Sequence, residues 1–115
     1  MVSSENSYIP DRGQITYINF NPTKGREQQG RRPAFVLSPR KYNAKSSLAV
    51  MMPITSHRKG YPFEVILPEE LKTNGVILVD QVKSLDWRIR QAEFVESVTQ
   101  TLVRKVQNKL KILLL

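Results

Sequence analysis

The chain contains no cysteine among its 115 residues. Disulfides, cysteine-ligated zinc and thiol catalysis are therefore excluded, and a reducing, cytoplasmic setting is the expectation. Histidine is nearly absent too: His57 stands alone. An acid–base mechanism built on two histidines is excluded, and so is a histidine-rich metal site. No stretch approaches the roughly 20 apolar residues that cross a bilayer. The N-terminus, Met-Val-Ser-Ser-Glu-Asn-Ser, has no apolar signal core. No membrane partner is expected. Acids are scarce as well, with ten Asp and Glu against eighteen Lys and Arg.

What is present is an apolar fraction of 40%, enough for a folded core and too high for a disordered chain. The length fits one small domain over residues 1–115, with a flexible N-terminus over 1–8. The net charge is +8 and is unevenly placed. Residues 1–60 hold ten cations against three acids, whereas residues 61–115 hold eight against seven. A concentrated positive field steers polyanions and releases their counterions, so nucleic acid is the favoured partner. The excess surrounds Lys24-Gly25-Arg26-Glu27-Gln28-Gln29-Gly30-Arg31-Arg32-Pro33. One carboxylate, Glu27, lies there among Lys24, Arg26, Arg31 and Arg32. Four cations in one loop stabilise a fold little. They suit a site that grips a phosphate and moves a proton.

Along the chain, Pro10-Asp11-Arg12-Gly13 signals a turn. Gln14–Phe20 reads as a strand, residues 21–32 as a long loop, and Ala34–Ser38 as a short strand closed by Pro39. Arg40–Ser47 is polar and basic and reads as a second exposed loop. Leu48–Ile54 is a strand, Thr55–Tyr61 a basic turn region, and Pro62–Leu67 another strand. Pro68-Glu69-Glu70-Leu71 fits one helical turn, ended by Asn74-Gly75. Val76–Val82 is strongly β-prone, followed by Lys83–Ile89 and Ala92–Val95. Leu102, Val106, Leu110 and Leu113 recur at helical spacing, with Ser97 and Gln100 as a capping box. The fold expected is mainly β with a C-terminal helix, as a compact, antiparallel, partly closed barrel. The apolar end Leu113-Leu114-Leu115 calls for burial, on the core or at a dimer seam.

Several segments together resemble the MazF/PemK family of toxin endoribonucleases. They are Asp11-Arg12-Gly13, Asn21-Pro22-Thr23-Lys24-Gly25, Glu27-Gln28, Gly30-Arg31-Arg32-Pro33, Leu37-Ser38-Pro39 and Tyr42-Asn43. Lys59-Gly60-Tyr61-Pro62-Phe63-Glu64-Val65, Asp80-Gln81-Val82-Lys83-Ser84 and Trp87-Arg88 complete the set. Each is weak alone; their order and spacing are specific, from about residue 8 to the C-terminus. The resemblance implies an SH3-like barrel that forms homodimers and cuts single-stranded RNA at short motifs without a metal or cofactor. It also implies a cognate antitoxin that lays an acidic, otherwise disordered segment over the active groove.

RNA can be cut by its own 2′-OH, given a base, an acid for the 5′-oxygen and positive charge for the crowded phosphorane. By the family match Glu27 is the candidate base. Arg32 is the candidate for transition-state charge, because its planar fork matches phosphate oxygens. Which group is base and which is acid stays open. Thr55 is matched to a hydroxyl that holds the scissile phosphate. Lys24, Arg31, Ser56, Arg58, Lys59 and Lys83 are candidate RNA contacts and Gln81 a candidate reader of a base edge, while Tyr61 and Trp87 fit either a stacking platform or the core. Arg31 departs from the histidine of close relatives, and Asn19 and Asn21 from aspartates. His57 reads as an exposed turn residue. Two rivals remain: a non-enzymatic toxin of the same fold that binds DNA gyrase, and an inactive RNA-binding module.

Overall fold

Among the described residues, seven short segments become strand. The computed structural model describes residues 8–20 and 30–115. In chain order these form β1 (Gln14–Asn19), β2 (Arg31–Val36), α1 (Arg40–Ser46), β3 (Leu48–Thr55), β4 (Glu64–Ile66), β5 (Val76–Leu78), β6 (Lys83–Asp86), β7 (Glu93–Ser97) and α2 (Gln100–Leu114). All the ladders are antiparallel, in the order β4-β5-β3-β2-β1-β7, with β6 also on β3. The sheet curls but stays open, because its end strands β4 and β7 do not pair with each other.

β3 is the hub. One edge pairs with β2, and the other pairs with β6 along Leu48–Met51 and with β5 at Ile54 and Thr55. From Val76 to Lys83 the chain takes seven steps while β3 takes four, from Thr55 to Met51. The three surplus residues loop out as a 3-10 turn, Val79–Gln81. The expected single strand Val76–Val82 is therefore interrupted, because β5 and β6 share one edge of β3 in different registers.

Both faces of the sheet are covered. Ile15, Phe35, Met52, Ile54 and Ile77 pack with Leu102, Val103 and Val106 of α2 on one side. Ile18, Ala34, Val36, Ala49, Met51, Leu85 and Trp87 form a second core on the other. Strand β2 thus buries consecutive residues, Ala34, Phe35 and Val36, all at 0% exposure.

Two local expectations are corrected. Arg40–Ser47 is not a loop: Arg40–Ser46 is helical. Its first turn is capped from a distance, with the Arg40 N–H donating to Asp11 Oδ1 at 2.8 Å. Its buried Asn43 donates to Pro10 O and Ser38 O, accepts from the Ser38 hydroxyl, and receives the Trp87 indole N–H on its backbone oxygen. Helix α2 is capped not by Ser97, which is occupied in the β1–β7 ladder, but by Thr99, whose hydroxyl accepts the Leu102 N–H. The Pro68–Leu71 segment makes one turn, closed by Leu71 N–H to Pro68 O. The Tyr8 hydroxyl donates to Gln14 Oε1 at 2.7 Å, and residues 1–7 of the expected flexible N-terminus lie outside the described residues. Leu114 and Leu115 are exposed at 69% and 92%, so the tail does not pack on this chain's own core.

Truncating Asn43 to Ala strands several buried polar partners, each worth about 1–3 kcal/mol. Asn43→Ala is expected to lower the urea midpoint by the equivalent of about 2–4 kcal/mol with an unchanged m-value. A shift under about 0.5 kcal/mol would contradict the role assigned to this network.

Candidate active site

The β2–β3 ladder pairs Val36 with Met51, Phe35 with Met52 and Ala34 with Pro53. The ladder ends at Ala34 and Pro53, and alternation from that pair puts Arg32 and Thr55 on one face. Arg32 pairs with Ile18, on the same face. The Arg32 side chain is exposed at the rim of the second core, and among the described residues nothing holds its guanidinium. Lys83 opposes Met51, which shares a face with Thr55 by alternation, and is exposed. Arg32, Thr55 and Lys83 therefore line one face.

Thr55 is prepared as a donor. Its Oγ1 accepts the His57 N–H at 3.1 Å, leaving the hydroxyl proton to point elsewhere. Its backbone is fixed by Gly75, at φ +116°, where an added Cβ would stand 2.1 Å from Thr55 O. Only glycine allows this approach. The segment leading to Gly75 is tied down by Glu96 of β7, whose carboxylate accepts the Lys72 N–H, the Thr73 N–H and the Thr73 hydroxyl. Partial burial works to raise the Glu96 pKa. The hydrogen bonds from Lys72 and Thr73, with the Lys72 charge, outweigh it and hold the carboxyl below its ordinary value.

Beyond β3, Ser56, His57, Arg58, Lys59, Gly60 and Tyr61 form an exposed basic loop. Glu64 closes it, accepting the backbone N–H groups of Lys59 and Gly60 at 3.0 Å. Lys59 Nζ lies 5.9 Å from the centroid of the Tyr61 ring, which is 56% exposed. Gln81 is exposed on the 3-10 turn that the β5–β6 mismatch pushes outward.

Other residues stand elsewhere. Trp87 is 4% exposed, inside the second core, with its indole N–H on Asn43 O. It is no platform for a base, and of the two readings open for it the core is the one that holds. Arg31 alternates with Arg32 and faces the opposite side, its side chain 15% exposed and paired with Glu93 at 2.9 Å. Lys24, Glu27 and Asn21 lie outside the described residues. Asn19 is buried at the end of β1. Among the described residues, no three carboxylate or histidine side chains converge as metal ligands, and no helix is long and apolar enough to cross a membrane. Gly75, Glu64 and Glu96 were missed from sequence. Gly75 left a signal as the end of the Asn-Gly turn and Glu64 as part of the Lys59–Val65 motif, whereas Glu96 left none.

Residues 11–114 match the family described as PemK-like, MazF-like toxin of type II toxin-antitoxin system. The chain belongs to this family. It is 44% identical over 107 residues to the endoribonuclease toxin MazF of Escherichia coli K12, covering 93% of this chain and 96% of that one. It is 32% identical over 108 residues to the endoribonuclease PemK of Escherichia coli, covering 90% and 81%. Among solved structures, MazF in a MazE–MazF crystal structure from Deinococcus radiodurans superposes with a TM-score of 0.85 at 44% identity, over 94% and 97% of the two chains. A mycobacterial endoribonuclease at 20% identity and TM-score 0.74 shares the fold.

Because Glu96 has a depressed pKa, its contribution to stability is present above the unfolded carboxylate value of about 4.3 and is lost as pH falls through the folded value. Thermal melts from pH 7 to pH 2.5 should show Glu96→Gln less stable than the parent at neutral pH and converging with it in acid. A constant gap across that range would contradict the assignment.

Proposed function

We propose that the chain is the toxin of a type II toxin–antitoxin pair and acts as a metal-independent endoribonuclease on single-stranded RNA. The endoribonuclease activity follows the relatives named above. The chemistry follows from the residues. The 2′-oxygen of the target nucleotide attacks the adjacent phosphorus, and the 5′-oxygen of the next nucleotide leaves. The 2′-OH proton goes to a base, for which Glu27 is the sequence candidate, and a proton is returned to the departing 5′-oxygen. The products are a 2′,3′-cyclic phosphate and a 5′-OH end.

One observation carries this reading: an Arg32 fork that no described residue holds lies on the same face as the Thr55 hydroxyl of the neighbouring strand. Arg32 offers two N–H groups to the equatorial oxygens as charge builds on the phosphorane. Thr55 adds one neutral donor. Lys83 on the same face, with Ser56, Arg58 and Lys59 on the basic loop and Lys24 in the preceding segment, tracks the flanking phosphates. Gln81, thrust outward on its turn, reads a base edge, and Tyr61 offers an exposed ring for stacking.

A net charge of +8 suits an acidic partner as well as RNA. A cognate antitoxin with an acidic segment, competing for the same face, fits that charge and the MazE–MazF assembly of the Deinococcus relative. A homodimer in the cytoplasm completes the reading, with the exposed Leu114 and Leu115 available for burial against a second copy.

With EDTA present, the protein should cut a long defined RNA at one motif. Arg32→Ala should lower the rate roughly 100-fold or more, as for loss of a preorganised charge donor. Thr55→Val should lower it about tenfold, the worth of one hydrogen bond. A 2′-deoxy sugar at the mapped cut site should abolish cleavage; efficient cutting there would sink the mechanism. Intact RNA beside trapped gyrase–DNA complexes would favour a binding toxin instead.

A further inference from the structure

Arg31 and Arg32 are neighbours in sequence and face opposite sides of β2. Arg31 pairs with Asn19 of β1 and, by alternation, shares a face with Pro33 of its own strand and with Tyr17 and Glu93, which pair with each other across β1 and β7. Its guanidinium donates to Glu93 Oε1 at 2.9 Å, to Gln91 O at 3.2 Å and to Tyr17 O at 3.3 Å. Its Cζ lies 5.2 Å from the centroid of the Tyr17 ring. All three bonds leave from Nη2, so one arm of the fork is spent on the protein, and Glu93 offsets the charge of a side chain that is only 15% exposed.

A second arginine works at the same place. Arg90 donates through Nη1 to Phe20 O at 2.8 Å and to Asn19 O at 3.3 Å, while its backbone oxygen accepts the Asn19 N–H at 2.9 Å. Both arginines join the turn 87–92 to the strands. That turn is tightly drawn. Gln91 takes the left-handed φ of +53°, and the N–H groups of Arg88 and Ile89 both donate to Asp86 Oδ1. Just beyond, the Phe20 N–H donates to Gly30 O at 2.8 Å, where the chain departs and returns around the segment that carries Lys24 and Glu27.

We infer that Arg31 and Arg90 are positioning residues that clamp the base of the β1–β2 connection to the turn 87–92, and that Arg31 is not a ligand of RNA. The inference rests on the ribonuclease reading for its consequence. The end of a two-stranded ladder frays unless it is held. Fixing the Arg31 side chain fixes the β2 backbone, and alternation then aims Arg32 at the opposite face.

The test compares Arg31→Ala, Arg31→Lys and Arg90→Lys with the parent in the full chain, folding being checked by circular dichroism. Three readouts are needed: kcat and KM for cleavage, the salt dependence of binding to a single-stranded oligonucleotide with 2′-O-methyl sugars throughout, and amide hydrogen exchange at Asn19 and Phe20. The clamp predicts kcat lowered tenfold or more in all three variants, with KM and the salt slope unchanged and both amides exchanging faster. Lysine at 31 keeps the charge but not the fork, so it should do little better than alanine. A salt slope shallower by roughly 0.7 in Arg31→Ala, rescue by lysine, and unchanged exchange would make Arg31 a phosphate contact and overturn the inference. If the parent cuts no RNA, the ribonuclease reading falls, and amide exchange alone still decides the clamp.

Discussion

The candidate site depends on the register between β2 and β3. Ala34, Phe35 and Val36 are buried on alternating sides, with Phe35 against the helix-backed core and its neighbours in the other. A slip of one residue would exchange the two sets and drive Arg32 toward the helix side. Packing on both faces therefore forbids the slip. The same ladder that closes two cores sets Arg32 and Thr55 on one face, so the stability of the fold and the geometry of the site have one origin.

Thr55 is held from its other flank by a different device. Gly75 lets the neighbouring backbone press against the Thr55 carbonyl, and Glu96 anchors the segment that delivers Gly75. Glu96 belongs to β7, at the far end of the strand order from β5. The curl of the sheet is what makes that contact possible. Cationic residues then divide into two kinds. Arg31 turns Nη2 to the Glu93 carboxylate and two backbone carbonyls and Arg90 turns Nη1 to two more, whereas Arg32 and the loop after β3 are exposed.

The strands were legible because burial on a sheet leaves a period-two trace, and α2 because its apolar residues recur at helical spacing. The polar helix α1 was hidden, since its stabilisers, Asp11 and Trp87, lie far away in sequence and no local propensity reports them. The break within Val76–Val82 was hidden too, because it records a mismatch between two pairings and not the residues themselves. At the site, the resemblance carried Arg32 and Thr55, and the register adds why they belong together. Arg31 could not be told from Arg32 by composition. Alternation along β2 separates them, and only the contacts with Glu93, Gln91 and Tyr17 reveal what Arg31 does. Trp87 could have been core or site, and its buried indole decides for core.

The most direct measurement is a double-mutant cycle on Arg32 and Thr55, read as the cleavage rate of a defined RNA. Two groups acting on one phosphate across a single ladder should be coupled, so the Arg32→Ala, Thr55→Val double variant should lose clearly less than the product of the two single losses. Independent, multiplicative losses would mean that the two side chains do not share a phosphate, and would contradict the register-built site.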